Sequence, residues 1–327
     1  MADERLSSVN LTILNEIQTS SSSFPKYTVW FDIDNTLYSK NCRIHDHMTE
    51  KIKEYFKTLG LPDKKADELH IKYYKEYGLA IRGLVRNHDI DPLDYDQKCD
   101  SAIPLEKLMK PDETVRKLLL DIDRSKARVW CLTNAYKTHA LRVLKILNLI
   151  DLIDAVVSCD YTNRNFHCKP EPEFFEEAIE ALSKTVLKAV ITGKGDQDEK
   201  KVEEFRSILN DRSNHLLVDD SHLNIIGATK FGFGSRVFFD EKQETDEPKK
   251  ISNNGNWNGK DKEVTRNHQE QENLRLIKKN NSLLLRGSDE VEGKDKEKDY
   301  KSYRFDTICD LNQLREVEVW RDLFKKQ

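Results

Sequence analysis

The sequence lacks several features that would assign it to other classes of protein. Its six cysteines form no C-x-x-C pair, which argues against a disulfide framework and a zinc knuckle and predicts free thiols. It has no run of about 18 consecutive apolar residues, as a membrane span would need. An excess of one charge is also missing, because 54 basic and 58 acidic residues give a formal net charge of −4. We therefore expect no nucleic-acid partner and no stable membrane anchor.

The chain also shows no internal repeat, and we expect no targeting segment. Residues 1–5 include three charged side chains, and no long apolar stretch follows them. We expect a cytoplasmic protein, with the nucleus as the alternative compartment. A length of 327 residues is enough for one main domain with an insertion.

The most informative stretch is residues 27–36, where an apolar run stops at a pair of carboxylates. Residues 27–31 are aromatic or β-branched without polar alternation, as in a strand that is covered on both faces of a parallel sheet. Asp32 and Asp34 follow at once, beyond the end of the strand, where such sheets bind ligands. One carboxylate could attack a substrate while the other carries a proton, and hard oxygen ligands suit a divalent ion. Alone, the motif could equally be a solvated turn or a simple cation site.

Apolar runs alternate with helical patterns from residue 27 to about residue 240. This alternation predicts an α/β fold with a Rossmann-like parallel sheet flanked by helices. Residues 35–132 lie between the motifs at the ends of the first two predicted strands, far more than the roughly 30 residues of a βαβ unit. Their helical periodicity predicts an inserted helical cap at about residues 40–108, placed as a lid above the first strand. The predicted strands are residues 27–31, 127–132, 153–157, 215–218 and 235–239.

The ends of the chain differ in composition from this core. Residues 1–25 lack a sustained apolar period and predict a loose N-terminal extension to the core at 26–240. Residues 241–302 are rich in charged residues, asparagine and glycine, which predicts a disordered insertion whose protein partner, if any, is unknown. Residues 303–327 predict a short strand and a terminal helix that return to the core.

Three further predicted strand ends carry polar residues that suit phosphate. Thr133 and Asn134 offer a hydroxyl, an amide and free backbone N–H groups, although the pair could be an ordinary helix cap. Lys169, before Pro170, could neutralise a phosphoryl oxygen or could be a surface lysine. The adjacent carboxylates at residues 219–220 are costly to place together unless a cation lies between them, and magnesium is the obvious choice.

The ordered set D-x-D-N-T, T-N, K-P and D-D resembles the haloacid dehalogenase superfamily of phosphatases over about residues 27–240. Residues 73–84 and 133–140 look like the lid and second-motif stretches of fungal pyrimidine 5′-nucleotidases, and residues 308–324 are similar to the last segment of that family. The resemblance implies Mg²⁺-dependent hydrolysis of a phosphomonoester, with a substrate like UMP or CMP.

The same resemblance implies a role for each motif residue. Asp32 would be the nucleophile that forms an aspartyl-phosphate, and Asp34 the acid that protonates the leaving oxygen and then deprotonates water. Mg²⁺ would be held by Asp32, the backbone carbonyl of Asp34, and the pair Asp219 and Asp220. The phosphoryl group would be held by Thr133, Asn134 and Lys169, and the cap residues that could meet a base or ribose are Glu76, Tyr77 and Arg82.

Two alternatives stay open from the sequence. The same chemistry could act on another small phosphomonoester, such as lysophosphatidic acid or a sugar phosphate. The fold could also be a catalytically inactive binding protein whose insertion recruits partners, although the clustered carboxylates argue against this. The long segment between Lys169 and Asp219, together with the insertion after residue 240, weakens any transfer of substrate preference.

Overall fold

The computed structural model describes residues 9–17, 24–193, 199–241 and 303–326. Apart from Glu241, the predicted disordered insertion at 241–302 lies outside these residues. The strands of the described part are Val9–Ile13 (β1), Tyr27–Phe31 (β2), Ala127–Tyr136 (β3), Ala155–Cys159 (β4), His215–Asp219 (β5), Ser235–Phe239 (β6) and Asp306–Ile308 (β7).

These seven described strands form one sheet in the order β1-β4-β3-β2-β5-β6-β7. Strand β1 runs antiparallel to β4, and all the other neighbours are parallel. Helices lie on both faces, so the predicted fold class is confirmed. Because β2 lies between β3 and β5, the chain segments that follow these three strands meet at one edge of the sheet.

Alternate residues of the central strands supply two separate cores. Trp30 and Trp130 belong to the cluster on one face of the sheet, and Val29, Phe31 and Cys131 belong to the cluster on the other. All five are buried, as expected for strands whose successive side chains point to opposite covered faces. The apolar run in the sequence is therefore explained by burial on both sides, which holds the end of β2 rigidly.

The helical cap follows β2, and the remaining helices flank the sheet. The cap contains Ile44–Thr58 (α1), Asp63–Tyr77 (α2), Ala80–Asn87 (α3), Pro92–Lys98 (α4) and Leu105–Leu108 (α5). The others are Glu113–Leu120 (α6), Lys137–Ile146 (α7), Pro172–Gly193 (α8), Glu199–Asn210 (α9), His222–Phe231 (α10) and Glu318–Arg321 (α11). The long segment before β5 thus consists largely of α8 and α9. No helix of the described residues is long and apolar enough to cross a membrane.

The prediction of a loose N-terminal extension at 1–25 is wrong for the part that forms β1. Val9 pairs with Cys159 and Ile13 with Ala155, which covers the free edge of β4. Asn15 then donates from Nδ2 to the carbonyl oxygens of Ile150 and Ile153, at 2.7 Å each. Backbone pairing and these side-chain bonds hold the segment against the core.

The prediction of one terminal helix is also wrong. A 3-10 turn at Leu311–Arg315 is followed by the short helix α11, and the extended residue Val317 separates them. Asp310 and Gln313 form a reciprocal capping box that starts the turn. Trp320 is nevertheless fully buried and donates from Nε1 to Ser235 Oγ at 3.1 Å, so the segment returns to the core as expected.

Candidate active site

The carboxylates that follow β2 and β5 lie together. Asp32, Asp219 and Asp220 each offer an oxygen, and these oxygens lie within 4.8 Å of one another. Asp32 is held by its backbone N–H, which donates to the carbonyl of Val218 at 2.9 Å. Asp219 is held from both sides, since its carboxylate accepts from the Ser221 N–H at 2.8 Å and from Asn224 Nδ2 at 3.0 and 3.1 Å. The predicted convergence of these two motifs is confirmed.

Lys169 lies at the centre of this cluster and is fully buried. Its Nζ donates to Asp32 Oδ1 at 2.8 Å, to Asp219 Oδ2 at 2.6 Å and to the carbonyl oxygen of Leu132 at 2.6 Å. Burial lowers the pKa of Lys169, but the two carboxylates outweigh burial and raise this pKa above its usual value. All three N–H bonds of the ammonium group are used, so the alternative of a surface lysine is excluded.

Asn134 positions the Lys169 loop. Its Oδ1 accepts from the backbone N–H of Lys169 at 2.8 Å, and its Nδ2 donates to the carbonyl of Lys169 at 2.9 Å. Thr133 is buried within β3, before the end of that strand at Tyr136, and its Oγ1 accepts from the Ala135 N–H at 3.0 Å. Asn134 therefore acts on the loop that carries the lysine, a contact between distant segments that the sequence did not predict.

The carboxylate cluster carries more negative charge than Lys169 neutralises. Burial, followed by repulsion from Asp219, Asp220 and Asp34, raises the pKa of Asp32 well above its usual value despite the attraction of Lys169. Burial and repulsion from Asp219 raise the pKa of Asp220 to about 7, even though Lys40 Nζ lies 3.4 Å from its carboxylate. Three hard oxygen donors with this residual charge suit a divalent cation such as Mg²⁺.

Asp34 is held by two donors that sequence reasoning missed. Its Oδ1 accepts from the hydroxyl of Tyr38 at 2.8 Å and lies 2.8 Å from Nε2 of His139. Burial raises the pKa of Asp34, but His139 and the hydrogen bonds outweigh burial and lower it. Burial in turn lowers the pKa of His139, while Asp34 raises it more strongly, to about 9. Tyr38 lies four residues beyond Asp34, which was the one local signal; His139 comes from α7.

The strand-end geometry is accompanied by a match to a known family. A family model described as a haloacid dehalogenase-like hydrolase matches residues 28–232, which is more than half of the chain. The chain belongs to the haloacid dehalogenase-like hydrolase family. The family that the four sequence motifs indicated is thereby confirmed, and the protein is a hydrolase of this group.

This haloacid dehalogenase-like hydrolase is similar to a curated protein, Phosphate metabolism protein 8 of Saccharomyces cerevisiae. The two are 32% identical over 214 residues, which are 63% of this chain and 59% of the yeast protein. The match therefore spans less than two thirds of that relative's length.

Solved structures of the family are more distant in sequence. The magnesium-bound hydrolase YfnB of Bacillus subtilis is 15% identical with a TM-score of 0.38, over 68% of this chain and 92% of that chain. The phosphatase of Thermococcus onnurineus is 19% identical with a TM-score of 0.37, over 68% and 90%. The L-2-haloacid dehalogenase of Xanthobacter autotrophicus is 16% identical with a TM-score of 0.37, over 68% and 80%. These similarities carry no information about substrate.

In this hydrolase of the haloacid dehalogenase-like family, Arg82 of the cap forms an ion pair with a glutamate outside the cap. Arg82 is almost fully buried, and its guanidinium lies 3.3 Å from Glu171, which also accepts from Arg86 at 2.7 Å and from the Cys168 N–H at 3.0 Å. Glu171 lies two residues beyond Lys169. These bonds tie α3 of the cap to the loop that presents the lysine.

The other predicted cap residues lie on α2. Glu76 pairs with Lys72 at 3.6 Å on the surface, and the carbonyl of Tyr77 accepts from Cys168 Sγ at 3.3 Å. Sequence reasoning missed Tyr74, which lies one turn before Tyr77 on the same helix. Burial, followed by repulsion from Asp220, raises the pKa of Tyr74 to about 12. Tyr74 therefore lies within electrostatic range of the carboxylate cluster.

Replacing Glu171 with Gln is expected to loosen the cap. The change leaves the buried guanidinium of Arg82 without a counter-charge, and a hydrogen bond to a charged group contributes about 1.5–3 kcal/mol. We expect the midpoint of thermal unfolding to fall by about 3–10 °C, measured by circular dichroism. Glu106→Gln is the matched control, because Glu106 pairs with Arg142 on the surface and should matter little. Equal midpoints for both variants would show that Glu171 does not anchor the cap.

Proposed function

We propose that this protein is a Mg²⁺-dependent phosphatase that hydrolyses a pyrimidine nucleoside 5′-monophosphate through an aspartyl-phosphate. The observation that carries the proposal is the meeting of three carboxylates around the buried Lys169, with a second acid, Asp34, two residues after Asp32. A nucleophile, an acid and cationic groups in one place are what phosphoryl transfer requires, since this reaction depends mainly on positioning and charge stabilisation.

The metal would be held by Asp32, Asp219, Asp220 and the backbone carbonyl of Asp34. The raised pKa values of Asp32 and Asp220 fit this assignment, because a divalent ion would offset the mutual repulsion that raises them. When bound, Mg²⁺ supplies positive charge to the oxygens of the transferring phosphoryl group.

The side chains can carry out both halves of the hydrolysis. An oxygen of Asp32 attacks phosphorus while the bond from phosphorus to the 5′ oxygen breaks, and Asp34, in its protonated form, gives its proton to that oxygen. Asp34, now ionised, takes a proton from water as the water attacks the aspartyl-phosphate, which releases phosphate and restores the Asp32 carboxylate and the protonated Asp34. Lys169 holds Asp32 and lies where it can neutralise phosphoryl charge, next to the backbone that Thr133 and Asn134 organise.

The substrate class is supported by similarity rather than by contacts. Residues 73–84 resemble the lid of fungal pyrimidine 5′-nucleotidases, and this stretch includes Tyr74, whose pKa is raised in part by Asp220. The yeast relative's name places it in phosphate metabolism. We propose the cytoplasm as the location of this activity.

Phosphate release from a panel of monoesters tests the proposal. With Mg²⁺ we expect turnover of UMP and CMP above that of AMP and GMP, and we expect EDTA to abolish it, because the clustered carboxylates would then lack their counter-ion. Lysophosphatidic acid and a sugar phosphate complete the panel. Preference for either of these would support phosphomonoester hydrolysis but contradict a nucleotide as the substrate. No release from any monoester would contradict the proposed function.

A further inference from the structure

Both donors to Asp34 bind the same carboxylate oxygen. Oδ1 lies 2.8 Å from the Tyr38 hydroxyl and 2.8 Å from His139 Nε2. An ionised carboxylate can only accept hydrogen bonds, so both neighbours donate to it. Neither of these two bonds occupies Oδ2. The arrangement therefore distinguishes the two oxygens of Asp34 chemically.

The two donors are held by independent parts of the fold. Tyr38 is 5% exposed, in the loop after β2, and His139 is 2% exposed, in the first turns of α7. The neighbours of His139 on that helix, Ala140 and Val143, are fully buried in the core between α7 and the sheet. Close packing of this kind keeps side chains in single rotamers, so the position of Asp34 Oδ1 is determined from two directions.

We propose that His139 and Tyr38 are positioning residues that orient Asp34 so that Oδ2 is the atom that transfers the proton to and from the substrate. This inference rests on the proposed function. Because Oδ1 already accepts two hydrogen bonds, an added proton goes to Oδ2. Proton transfer requires that this oxygen come within hydrogen-bond reach of the leaving oxygen, and a carboxylate free to rotate would seldom meet that condition.

Leaving-group dependence separates this role from a merely structural one. The 5′ alkoxide of a nucleotide needs protonation as it leaves, whereas p-nitrophenolate, the anion of a much stronger acid, leaves without it. The quantity kcat/KM includes only the steps up to departure of the leaving group. A misplaced Asp34 therefore lowers kcat/KM for UMP and spares p-nitrophenyl phosphate, whereas partial unfolding lowers both by one factor.

The test uses His139→Leu, His139→Gln and Tyr38→Phe in the full chain with Mg²⁺. We expect His139→Leu to lower kcat/KM for UMP by about 10- to 100-fold, the loss of one hydrogen bond to a charged group, and for p-nitrophenyl phosphate by less than about threefold. His139→Gln retains an N–H donor and should recover part of the loss. Tyr38→Phe should show the same selectivity and remains informative if His139→Leu does not fold.

Tyr55→Phe is the matched control, because it removes a hydroxyl that bonds to Asp94 within the cap, at 3.2 Å. It should leave the ratio of the two kcat/KM values unchanged. Equal losses for both substrates in the His139 and Tyr38 variants, or no loss for UMP, would overturn the positioning role while leaving the phosphatase intact. A wild-type protein that hydrolyses neither substrate would instead overturn the proposed function, and this inference with it.

Discussion

Replacing Asp32 with Asn is expected to abolish turnover. The amide cannot attack phosphorus, so the aspartyl-phosphate cannot form, and we expect phosphate release from UMP to fall by about 10⁴-fold or more. The same change removes a buried carboxylate that is repelled by Asp219, Asp220 and Asp34. The variant should therefore unfold at the same or a higher temperature than the wild type in EDTA, a trade between stability and activity that is common at such sites.

Two measurements make this expectation decisive. Wild-type protein quenched in acid during turnover should retain phosphate on Asp32, and the Asn variant should retain none. Asp151→Asn is the matched control, because Asp151 pairs with Arg116 at 2.7 Å on the surface, away from the carboxylate cluster. Turnover by Asp32→Asn at more than about a hundredth of the wild-type rate would mean that another group attacks phosphorus.

The convergence of the motifs could be predicted because it follows from topology. In a parallel sheet, chain segments that leave neighbouring strands at their carboxyl ends share one edge, so Asp32 and Asp219 had to approach each other once β2 and β5 were adjacent. Lys169 follows the same rule through β4. The distances of 2.6–2.8 Å from its Nζ to the two carboxylates confirm this part of the prediction. The catalytic roles of these residues remain predictions.

Contacts that depend on side-chain direction could not be predicted from the sequence. His139 reaches Asp34 because α7 begins directly after β3, which is the neighbour of β2 in the sheet. Asn134, which looked like a phosphate ligand or a helix cap, instead pairs with both backbone groups of Lys169. Arg82 looked like a substrate contact and is paired with Glu171. Each of these partners lies more than 30 residues away in the chain.

The errors at the two ends of the chain have different causes. Val9, Leu11 and Ile13 alternate with polar residues, a period of two that is typical of a half-buried strand, but a segment this short does not distinguish a strand from a loose extension. At the other end, the apolar spacing from Leu311 to Phe324 does fit a helix. There the extended conformation of Val317 ends the first turn. The spacing therefore predicted correctly which side chains are buried, but it predicted one continuous helix where the structure has two short elements.

Replacing Lys169 with Met is expected to cost both stability and activity. The change leaves Asp32 and Asp219 buried without a counter-charge, and removing one partner of a buried ion pair lowers the free energy of unfolding by about 3–5 kcal/mol. We expect that loss in EDTA and a smaller one with Mg²⁺, because a divalent ion would replace part of the missing charge. Turnover of UMP should fall by about 10²- to 10³-fold even with saturating Mg²⁺, since phosphoryl charge is less well stabilised.

The pH dependence of the Lys169→Met variant distinguishes loss of charge from loss of packing. Without the ammonium group, the pKa of Asp32 rises further above its value in the unfolded chain. The contribution of such a carboxyl group to stability is fully present below the unfolded pKa and is lost as the pH rises through the folded pKa. The difference in unfolding free energy between wild type and Lys169→Met in EDTA should therefore be larger at pH 8 than at pH 5, measured by urea unfolding.

The control variant Lys98→Met, which removes a surface pair with Asp94, should show no such trend. A difference that is independent of pH and of Mg²⁺ would mean that Lys169 acts through packing alone, and the electrostatic account of the site would then be wrong.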